Sequence, residues 1–545
     1  MKRILLTFFC LIMVGCLNAQ HFVSRRWDAR FGGVNDDDLY AICKTNDGAY
    51  ILGGTSLSEI SGNKTQPSWG SYDYWIVKID RSGNYLWDKR FGGIGDDAFM
   101  TLSPTNDGGC ILGGWTGSGI SGDKTQASQG DFDYWLVKVD SLGNKQWDRR
   151  FGGSGEEILR VVKQTKDGGY IIGGDSESSI SGDKTQNTRG MSDYWIVKID
   201  SAGNKQWDKR FGGSSQDAGN DVIQTPDGGY LIGGTSGSDS SGDKTQPNFT
   251  FLARNLWVVK TDSLGNKQWD KVFGCTGNGG ETFGNSLNLS NGYLLGSTSG
   301  SGIIGGNKTI ANCGFWLIKI DTLGNIMQEW AYGTGTNCGQ TFGNMVKTTD
   351  GGYLLTGTSG DVIGGDKTEN NLSPGQAWTI KIDSQMNRVW DKTSLTRYTW
   401  GFDGSAGVVE GSTGCYVVGV VTTAGIGGEK TQPNWEPHDT LLDYWVVEYC
   451  DSFPLGIQEP EGAMHLQVYP NPTSNELSIS IQKDGVKEAS YTLTNTAGQA
   501  IYQSTADHLA SSYTKILDLS GLPSGVYMLE VTVDGERIVK KVLKE

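Results

Sequence analysis

The stretch ISGDKTQASQGDFDYWLVKVDSLGNKQWDRRFGG, residues Ile120–Gly153, recurs along the chain with few changes. Its lysine, always followed by threonine, occurs at Lys64, Lys124, Lys184, Lys244, Lys308, Lys367 and Lys430. Its first tryptophan occurs at Trp75, Trp135, Trp195, Trp257, Trp316, Trp378 and Trp445. Its second occurs at Trp27, Trp87, Trp147, Trp207, Trp269 and Trp390, and Gln328 takes that place in one copy. These copies predict a repeat architecture in which each copy folds as one supersecondary module.

Each copy divides into four strand-like segments separated by turns. In one copy the segments read ILRVVKQT, YIIGGDS, DYWIVKID and NKQWDKRF, and the turns Lys166–Gly169 and Ser201–Asn204 carry the glycine of short hairpin connections. Four antiparallel strands in a unit of this length are typical of a β-propeller blade. We therefore predict an all-β fold with a seven-bladed β-propeller over residues 20–454.

The two ends of this region complement each other. The segment Arg25–Gly33, RRWDARFGG, corresponds to the fourth strand of a module without the three that precede it. The last module reaches its third strand at Asp443–Cys450, DYWVVEYC, and has no fourth. We therefore predict that the N-terminal strand completes the last module, which removes the open sheet edges of a linear array.

The tryptophans and the lysines call for different explanations. A buried tryptophan hides roughly 150–250 Å², worth about 4–6 kcal/mol before chain entropy is subtracted, whereas an exposed ion pair contributes about 0–1 kcal/mol. The tryptophans are therefore predicted to hold the modules together.

For the lysines we predict a loop latch. In this latch the side chains of Asp123 and Thr125 form hydrogen bonds with backbone N–H groups, as in an Asx turn, and Lys124 forms an ion pair with a carboxylate such as Asp96 or Asp97. The latch residues are Asp123, Lys124, Asp183, Lys184, Asp243 and Lys244. A ring of lysines that captures anionic ligands is the alternative.

The long polar loops are predicted to share one face of the disc, opposite the short hairpins. Binding residues are commonest on the longer loops of a scaffold, so the candidates are the residues that depart from the repeat there. They are Trp400, Asp403, Trp435, His438 and Arg254. Aromatic rings beside polar groups could stack on and hydrogen-bond a sugar, while irregular packing near the closure is the alternative explanation.

No catalytic or metal-binding motif stands out. The four histidines are far apart in sequence, and the acidic runs lack the alternating oxygen ligands of an EF-hand loop. No cofactor and no metal site are predicted, although the clustered loop carboxylates leave weak calcium binding open. Paired carboxylates across the ring also leave open a glycoside hydrolase or lyase. The net charge of −15 argues against a nucleic-acid partner.

The first residues have the pattern of a secretory signal peptide. Lys2 and Arg3 precede an apolar run, and the predicted cleavage lies between Ala19 and Gln20, which gives a signal peptide over residues 1–19. A lipid-modified start at Cys16 is the alternative. Of the seven cysteines that then remain, Cys313 and Cys338 are the first choice for a disulfide, and the cysteines outside the long-loop face are predicted to be core substitutions.

A different pattern follows a predicted linker at residues 455–466. Alternating apolar residues and three clear turns over residues 467–545 predict a small immunoglobulin-like β-sandwich. Its distinctive residues are Tyr469, Pro470, Asn471, Pro472, Gly525, Tyr527, Lys540 and Lys541, together with NTAGQ at residues 495–499.

This tail resembles the type A C-terminal sorting domain of the type IX secretion system of Bacteroidetes. The resemblance implies export by the signal peptide, recognition by the type IX machinery and passage across the outer membrane. It also implies that the body is released or attached to the outer-membrane surface after the tail is cleaved. The body is similar, less specifically, to bacterial secreted β-propeller repeat proteins.

The leading hypothesis is a secreted or cell-surface β-propeller that binds a glycan or another surface macromolecule through its long-loop face, and whether it is an enzyme is left open. A polysaccharide-active enzyme that uses loop carboxylates is the first alternative. A structural surface protein is the second.

Overall fold

The computed structural model describes residues 22–250, 254–277, 280–335, 338–397, 403–438, 440–452, 465–469, 473–482, 488–495, 498–507, 512–534 and 536–544. The described chain is all-β, and it divides into one compact unit that ends at Phe453 and a second that begins at Pro454. None of the described residues forms a helix that is long and apolar enough to cross a membrane.

Six consecutive modules of the first unit each form a four-stranded antiparallel sheet in chain order. Module 1 contains β2 (Asp37–Lys44), β3 (Tyr50–Ser56), β4 (Asp73–Ile79) and β5 (Tyr85–Phe91). Module 2 contains β6 (Asp97–Pro104), β7 (Cys110–Thr116), β8 (Asp133–Val139) and β9 (Lys145–Phe151). Module 3 contains β10 (Glu157–Gln164), β11 (Tyr170–Ser176), β12 (Asp193–Ile199) and β13 (Lys205–Phe211).

Modules 4 to 6 follow the same plan. Module 4 contains β14 (Asp217–Gln224), β15 (Tyr230–Ser236), β16 (Asn255–Thr261) and β17 (Lys267–Phe273). Module 5 contains β18 (Glu281–Leu289), β19 (Gly292–Ser299), β20 (Gly314–Ile320) and β21 (Ile326–Tyr332). Module 6 contains β22 (Gln340–Lys347), β23 (Tyr353–Ser359), β24 (Gln376–Ile382) and β25 (Arg388–Thr393).

The seventh sheet is built from both ends of the unit. It contains β26 (Gly404–Glu410), β27 (Cys415–Thr422) and β28 (Asp443–Ser452), and its outer strand is β1 (Phe22–Phe31). Strand β1 pairs antiparallel with β28 and places Asp28 opposite Val447. The predicted pairing of the N-terminal strand with the last module is thus present among the described residues.

The third strand of each module is buried on both faces because neighbouring sheets cover it. The repeated tryptophans of these strands, Trp75 among them, have no exposed surface. Tyr74 donates a hydrogen bond to the carbonyl of Trp135 in the next module, at 3.1 Å. Tyr444 of module 7 makes the same bond to the carbonyl of Trp75, at 3.2 Å, so module 7 packs on module 1 as module 1 packs on module 2.

Two disulfides are present in the part of the chain that the structure describes. Cys313 pairs with Cys338, as predicted, with their Cα atoms 5.3 Å apart. Cys415 pairs with Cys450 across β27 and β28, with Cα atoms 4.0 Å apart. The prediction that all remaining cysteines are core substitutions is therefore wrong for this pair, because the register puts the two residues directly opposite each other. Cys43 and Cys110 are buried core residues, as expected.

The second unit consists of two sheets around one apolar core. One sheet contains β29 (His465–Tyr469), β30 (Glu476–Gln482) and β33 (Ser512–Asp518). The other contains β31 (Glu488–Thr494), β32 (Ala500–Asp507), β34 (Gly525–Val533) and β35 (Glu536–Lys544). Leu477, Tyr491, Leu517 and Leu529 of the two sheets share the core, which is the packing of a β-sandwich.

The sorting residues of the tail lie on its last two strands and its first. Gly525 begins β34, and Tyr527 donates a hydrogen bond from its hydroxyl to the carbonyl of Pro523 at 2.8 Å. Lys540 and Lys541 pair with Leu529 and Met528 along β35 and are exposed. Tyr469 ends β29, and Pro470, Asn471 and Pro472 lie outside the described residues, as do Ala19 and Gln20 of the predicted cleavage site.

Candidate functional site

The repeated lysines lie in the interior of the modules. Each has at most 2% of its surface exposed: Lys64, Lys124, Lys184, Lys244, Lys308, Lys367 and Lys430. The ammonium group of Lys184 donates to the Ser176 hydroxyl at 2.8 Å, the Ser178 carbonyl at 2.6 Å and the Thr188 hydroxyl at 2.6 Å. Burial lowers the pKa of Lys184 to about 8. A ring of lysines that captures anionic ligands is therefore ruled out by burial.

The contacts of the lysine loops differ from those predicted for the latch. Lys124 donates to the Gln126 carbonyl at 2.5 Å and the Ser128 hydroxyl at 3.3 Å, and it forms no ion pair with Asp97. The reason is that the Asp97 carboxylate already accepts hydrogen bonds from the backbone N–H of Gly93 and from the Ser118 hydroxyl.

The latch aspartates join neighbouring modules. Asp123 accepts a hydrogen bond from Arg90 of the preceding module at 2.9 Å. Asp183 accepts one from Arg150 at 2.6 Å, and Asp243 pairs in the same way with the arginine of module 3. The latch is therefore a structural contact between modules.

Of the predicted binding residues, Trp435 is the one placed as a surface aromatic. It is 38% exposed, and the guanidinium carbon of Arg30 lies 4.0 Å from its ring centroid. Its indole N–H donates to the Asn63 side chain at 3.0 Å, which ties module 7 to the loop of module 1. These two contacts orient the ring, and more than a third of the residue remains open to solvent.

Trp69, which is not one of the predicted binding residues, occupies the same position one module further on. It is 51% exposed, and the guanidinium carbon of Arg90 lies 4.7 Å from its ring centroid. The backbone N–H of Trp69 donates to Asp73 as that of Trp435 donates to Asp443. Alignment of the repeats would have found this pair, because Gln129 and Arg189 hold the position in modules 2 and 3.

The other predicted binding residues have different surroundings. Asp403 is fully buried and accepts hydrogen bonds from Thr396 and Thr422, so its carboxylate is not available to a ligand. Asp403 is equivalent to the buried acidic residue at the start of the first strand in other modules. His438 and Arg254 are exposed, and the Arg254 guanidinium donates to Gln216. Trp400 lies outside the described residues.

A channel runs between the inner strands. Its volume is about 420 Å³, and residues of β2, β6, β10, β14, β18, β22 and β26 all line it. Each of these strands has a register irregularity, which in module 1 falls between Leu39 and Ala41 and leaves Tyr40 facing the channel. The residues at these irregularities differ from module to module, although the sequences of the outer strands repeat closely.

Ion pairs are present at the channel, and burial raises the pKa of the Asp175 carboxyl in one of them. Arg160 pairs with Asp175 at 2.8 Å and Lys163 with Asp221 at 2.5 Å. Burial, assisted by the nearby charge of Asp36, raises the pKa of Asp38, two residues before Tyr40, to about 6.

The fold defines an all-β protein of repeated four-stranded sheets followed by a small β-sandwich. Residues 467–545 match the family model of the secretion system C-terminal sorting domain, and the tail is a sorting domain of the type IX secretion system. The protein is therefore exported to the medium or the cell surface.

Similarities of the body are distant. Over 167 residues, 29% of the chain, it is 23% identical to the regulatory protein FlaEY of Caulobacter vibrioides, and the match spans 18% of that relative. Among solved structures, a variant of the Synechocystis apocarotenoid oxygenase is 10% identical with a TM-score of 0.33, over 70% of this chain and 95% of that one. A family 43 arabinoxylan arabinofuranohydrolase from Bacillus subtilis is 10% identical with a TM-score of 0.28, over 94% and 95%. These similarities assign no activity to the chain.

Proposed function

We propose that the protein is a secreted or cell-surface binding protein whose body is a closed seven-bladed β-propeller and whose long-loop face recognises a glycan or another surface macromolecule. Closure is supported by the β1–β28 pairing, by the shared geometry of the Tyr444–Trp75 and Tyr74–Trp135 contacts, and by a channel lined by the inner strand of every module.

The observation that supports glycan binding best is the pair Trp69 and Trp435. An indole ring offers a flat apolar surface that can stack on the C–H face of a sugar, and an arginine on one side keeps the ring in a fixed orientation. The two rings stand at equivalent positions of adjacent modules, so one saccharide chain that spans both modules can contact both rings. The acidic surface of the protein favours neutral over anionic glycans.

The test is a screen of neutral polysaccharides and a glycan array with the mature protein and with Trp69→Gln and Trp435→Gln. Glutamine already holds this position in module 2, at Gln129, so the replacement suits the fold. We expect each variant to weaken binding by at least about tenfold. Ile180→Ser, which removes an exposed apolar side chain from module 3, is the matched control and should leave binding unchanged. Equal binding by all variants would refute the role of the pair.

A polysaccharide-active enzyme is the second candidate, and Asp38 is the observation that favours it. A carboxyl with a pKa of about 6 can act as a general acid near neutral pH, and the neighbouring Asp36 is a second carboxylate. Release of reducing sugar from a polysaccharide that is abolished by Asp38→Asn, with binding retained, would support this function. A protein that neither binds nor cleaves any polysaccharide would be a structural surface protein.

A further inference from the structure

A cavity of about 490 Å³ lies on the short-hairpin side of the body, where the first and last modules meet. Its wall includes the tip of the β4–β5 hairpin, the β26–β27 hairpin and the end of strand β2. The charged groups that line it are Arg26, Lys44, Arg81, Glu410 and Glu448. This cavity is separate from the central channel and from the tryptophan pair.

The repeat changes at this place. Glu448 of β28 occupies a position that is lysine in every other module: Lys78, Lys138, Lys198, Lys260, Lys319 and Lys381. In five modules that lysine pairs with an aspartate of a hairpin, as Lys198 does with Asp167 at 2.9 Å. In module 7 the hairpin position is Thr413, and the Glu448 carboxylate lies 3.5 Å from the Arg26 guanidinium instead.

The three cations also depart from the repeat. Arg26 takes the position of Gln146 in module 2 and Gln206 in module 3. Lys44 takes the position of Gln164 in module 3 and Gln224 in module 4. Arg81 takes the position of Ser141 in module 2 and Ser201 in module 3. Sister modules pack the same strands without these charges. Lys44 donates a hydrogen bond to the carbonyl of Gly411 in module 7, and Arg81 donates one to the carbonyl of Asp47 at 3.0 Å, so each of these two cations uses one of its N–H donors on the protein.

The carboxylates of the cavity are already engaged. Glu410 accepts hydrogen bonds from the backbone N–H of Thr349 at 2.7 Å and from its hydroxyl at 2.8 Å. Glu448 is only 2% exposed and faces Arg26, whose side chain is 64% exposed. The Arg26 side chain is therefore largely open to solvent beside the cavity.

We propose that this joint cavity binds a small oxyanion, a carboxylate or phosphate group carried by a free anion or by an acidic sugar. Arginine guanidinium groups recognise both anions through paired N–H donors, and Lys44 adds a further positive charge. Glu448 acts as a positioning residue, because its buried charge holds Arg26 at the cavity. The protein has a net charge of −15, so three cations around one cavity form a local region of positive charge on an otherwise acidic protein.

The test is calorimetric titration of the mature full-length protein with inorganic phosphate, with glucuronate and with glucose at low ionic strength. The variant Arg26→Gln/Lys44→Gln/Arg81→Ser gives the cavity the residues of its sister modules. We expect saturable binding of at least one anion, no binding of glucose, and a Kd at least about tenfold higher in this variant. Binding of phosphate alone or glucuronate alone identifies the oxyanion.

The control variant Lys89→Gln/Arg149→Gln/Lys209→Gln removes three cations from the outer strands of modules 1 to 3 and should leave the Kd within about twofold. If the triple cavity variant does not fold, the exposed single variant Arg81→Ser should still weaken binding by at least about threefold. No saturable binding of either anion, an unchanged Kd in the cavity variant, or equal weakening by the control would overturn the proposal. The outcome does not depend on the tryptophan pair, so it can be distinguished from the test of glycan binding.

Discussion

Asp28 provides a direct test of the proposed closure by the N-terminal strand β1. Its carboxylate accepts hydrogen bonds from the Trp445 indole at 3.1 Å, from the Thr431 backbone N–H and hydroxyl at 2.9 Å each, and from Arg25 at 2.9 Å. The bonds from Trp445 and Thr431 tie the N-terminal strand β1 to the rest of module 7, whereas the bond from Arg25 lies within β1. Asp28→Ala would remove all four.

Asp208 is a matched control inside module 3. It accepts the same four hydrogen bonds, from the Trp195 indole at 3.1 Å, the Thr185 backbone N–H and hydroxyl at 3.0 Å each, and Lys205 at 2.9 Å. Its strand β13 is continuous with the rest of its module. Asp208→Ala therefore causes the same local loss without acting on the closure.

The expected magnitude follows from the donors that are left without a partner. The hydroxyl and the cation can turn to water, so only the indole and the backbone N–H count, at about 1.5 kcal/mol each for bonds to a charged acceptor. The total of about 3 kcal/mol corresponds to a factor of about 100 in the equilibrium for local opening. Hydrogen exchange of residues 22–31 should therefore accelerate about 100-fold in Asp28→Ala.

The same peptide should exchange at its wild-type rate in Asp208→Ala, where the acceleration should be confined to module 3. Hydrogen exchange followed by mass spectrometry of peptic peptides measures both regions in one experiment. Unchanged exchange of residues 22–31 in Asp28→Ala would refute the closure by β1. Equal acceleration of that segment in both variants would refute the view that Asp28 acts locally.

Three further predictions concern stability. Cys415→Ser, which removes a disulfide with a sequence separation of 35, should lower the free energy of unfolding by about 2–4 kcal/mol in non-reducing denaturant titrations and change little under reduction. The hydrogen bond from Lys78 lowers the pKa of Asp47 to about 2, so this pair stabilises the fold above about pH 4 and its contribution is lost as the pH falls towards 2. The difference in unfolding free energy between wild type and Asp47→Asn should therefore vanish over that range. A difference that persists at pH 2 would contradict this prediction. Gly92→Ala would place a Cβ 1.8 Å from a buried carboxylate oxygen and should cost about 1–3 kcal/mol, whereas Gly119→Ala, which has open space around it, should be neutral in thermal unfolding.

Much of the fold follows from periodicity. The four strands of each module and the burial of Trp75 and its counterparts are local properties, because a strand between two sheets must be apolar on both faces. The residues of the tail also identified the sorting domain, since its motifs are contiguous in sequence. The Cys415–Cys450 pair was missed because it depends on the register of two strands separated by a long loop.

The candidate sites followed less closely from the sequence. Asp403 departs from the repeat in its local sequence, yet the structure places it at the buried acid position of other modules. Trp69 was passed over because nothing in its own segment distinguishes it. Its significance comes from Trp435, which is distant in the chain and lies in the module that contacts module 1.

By itself the sequence determined the length and number of the repeats, their strands and turns, the complementary ends and the nature of the tail. The tertiary structure decided which groups meet between modules: Asp123 with Arg90 instead of a lysine with Asp97, and Glu448 with Arg26 at the joint. The physical reason is that strand formation depends on neighbours a few residues away, whereas contacts between modules depend on the three-dimensional packing of segments that are far apart in the chain.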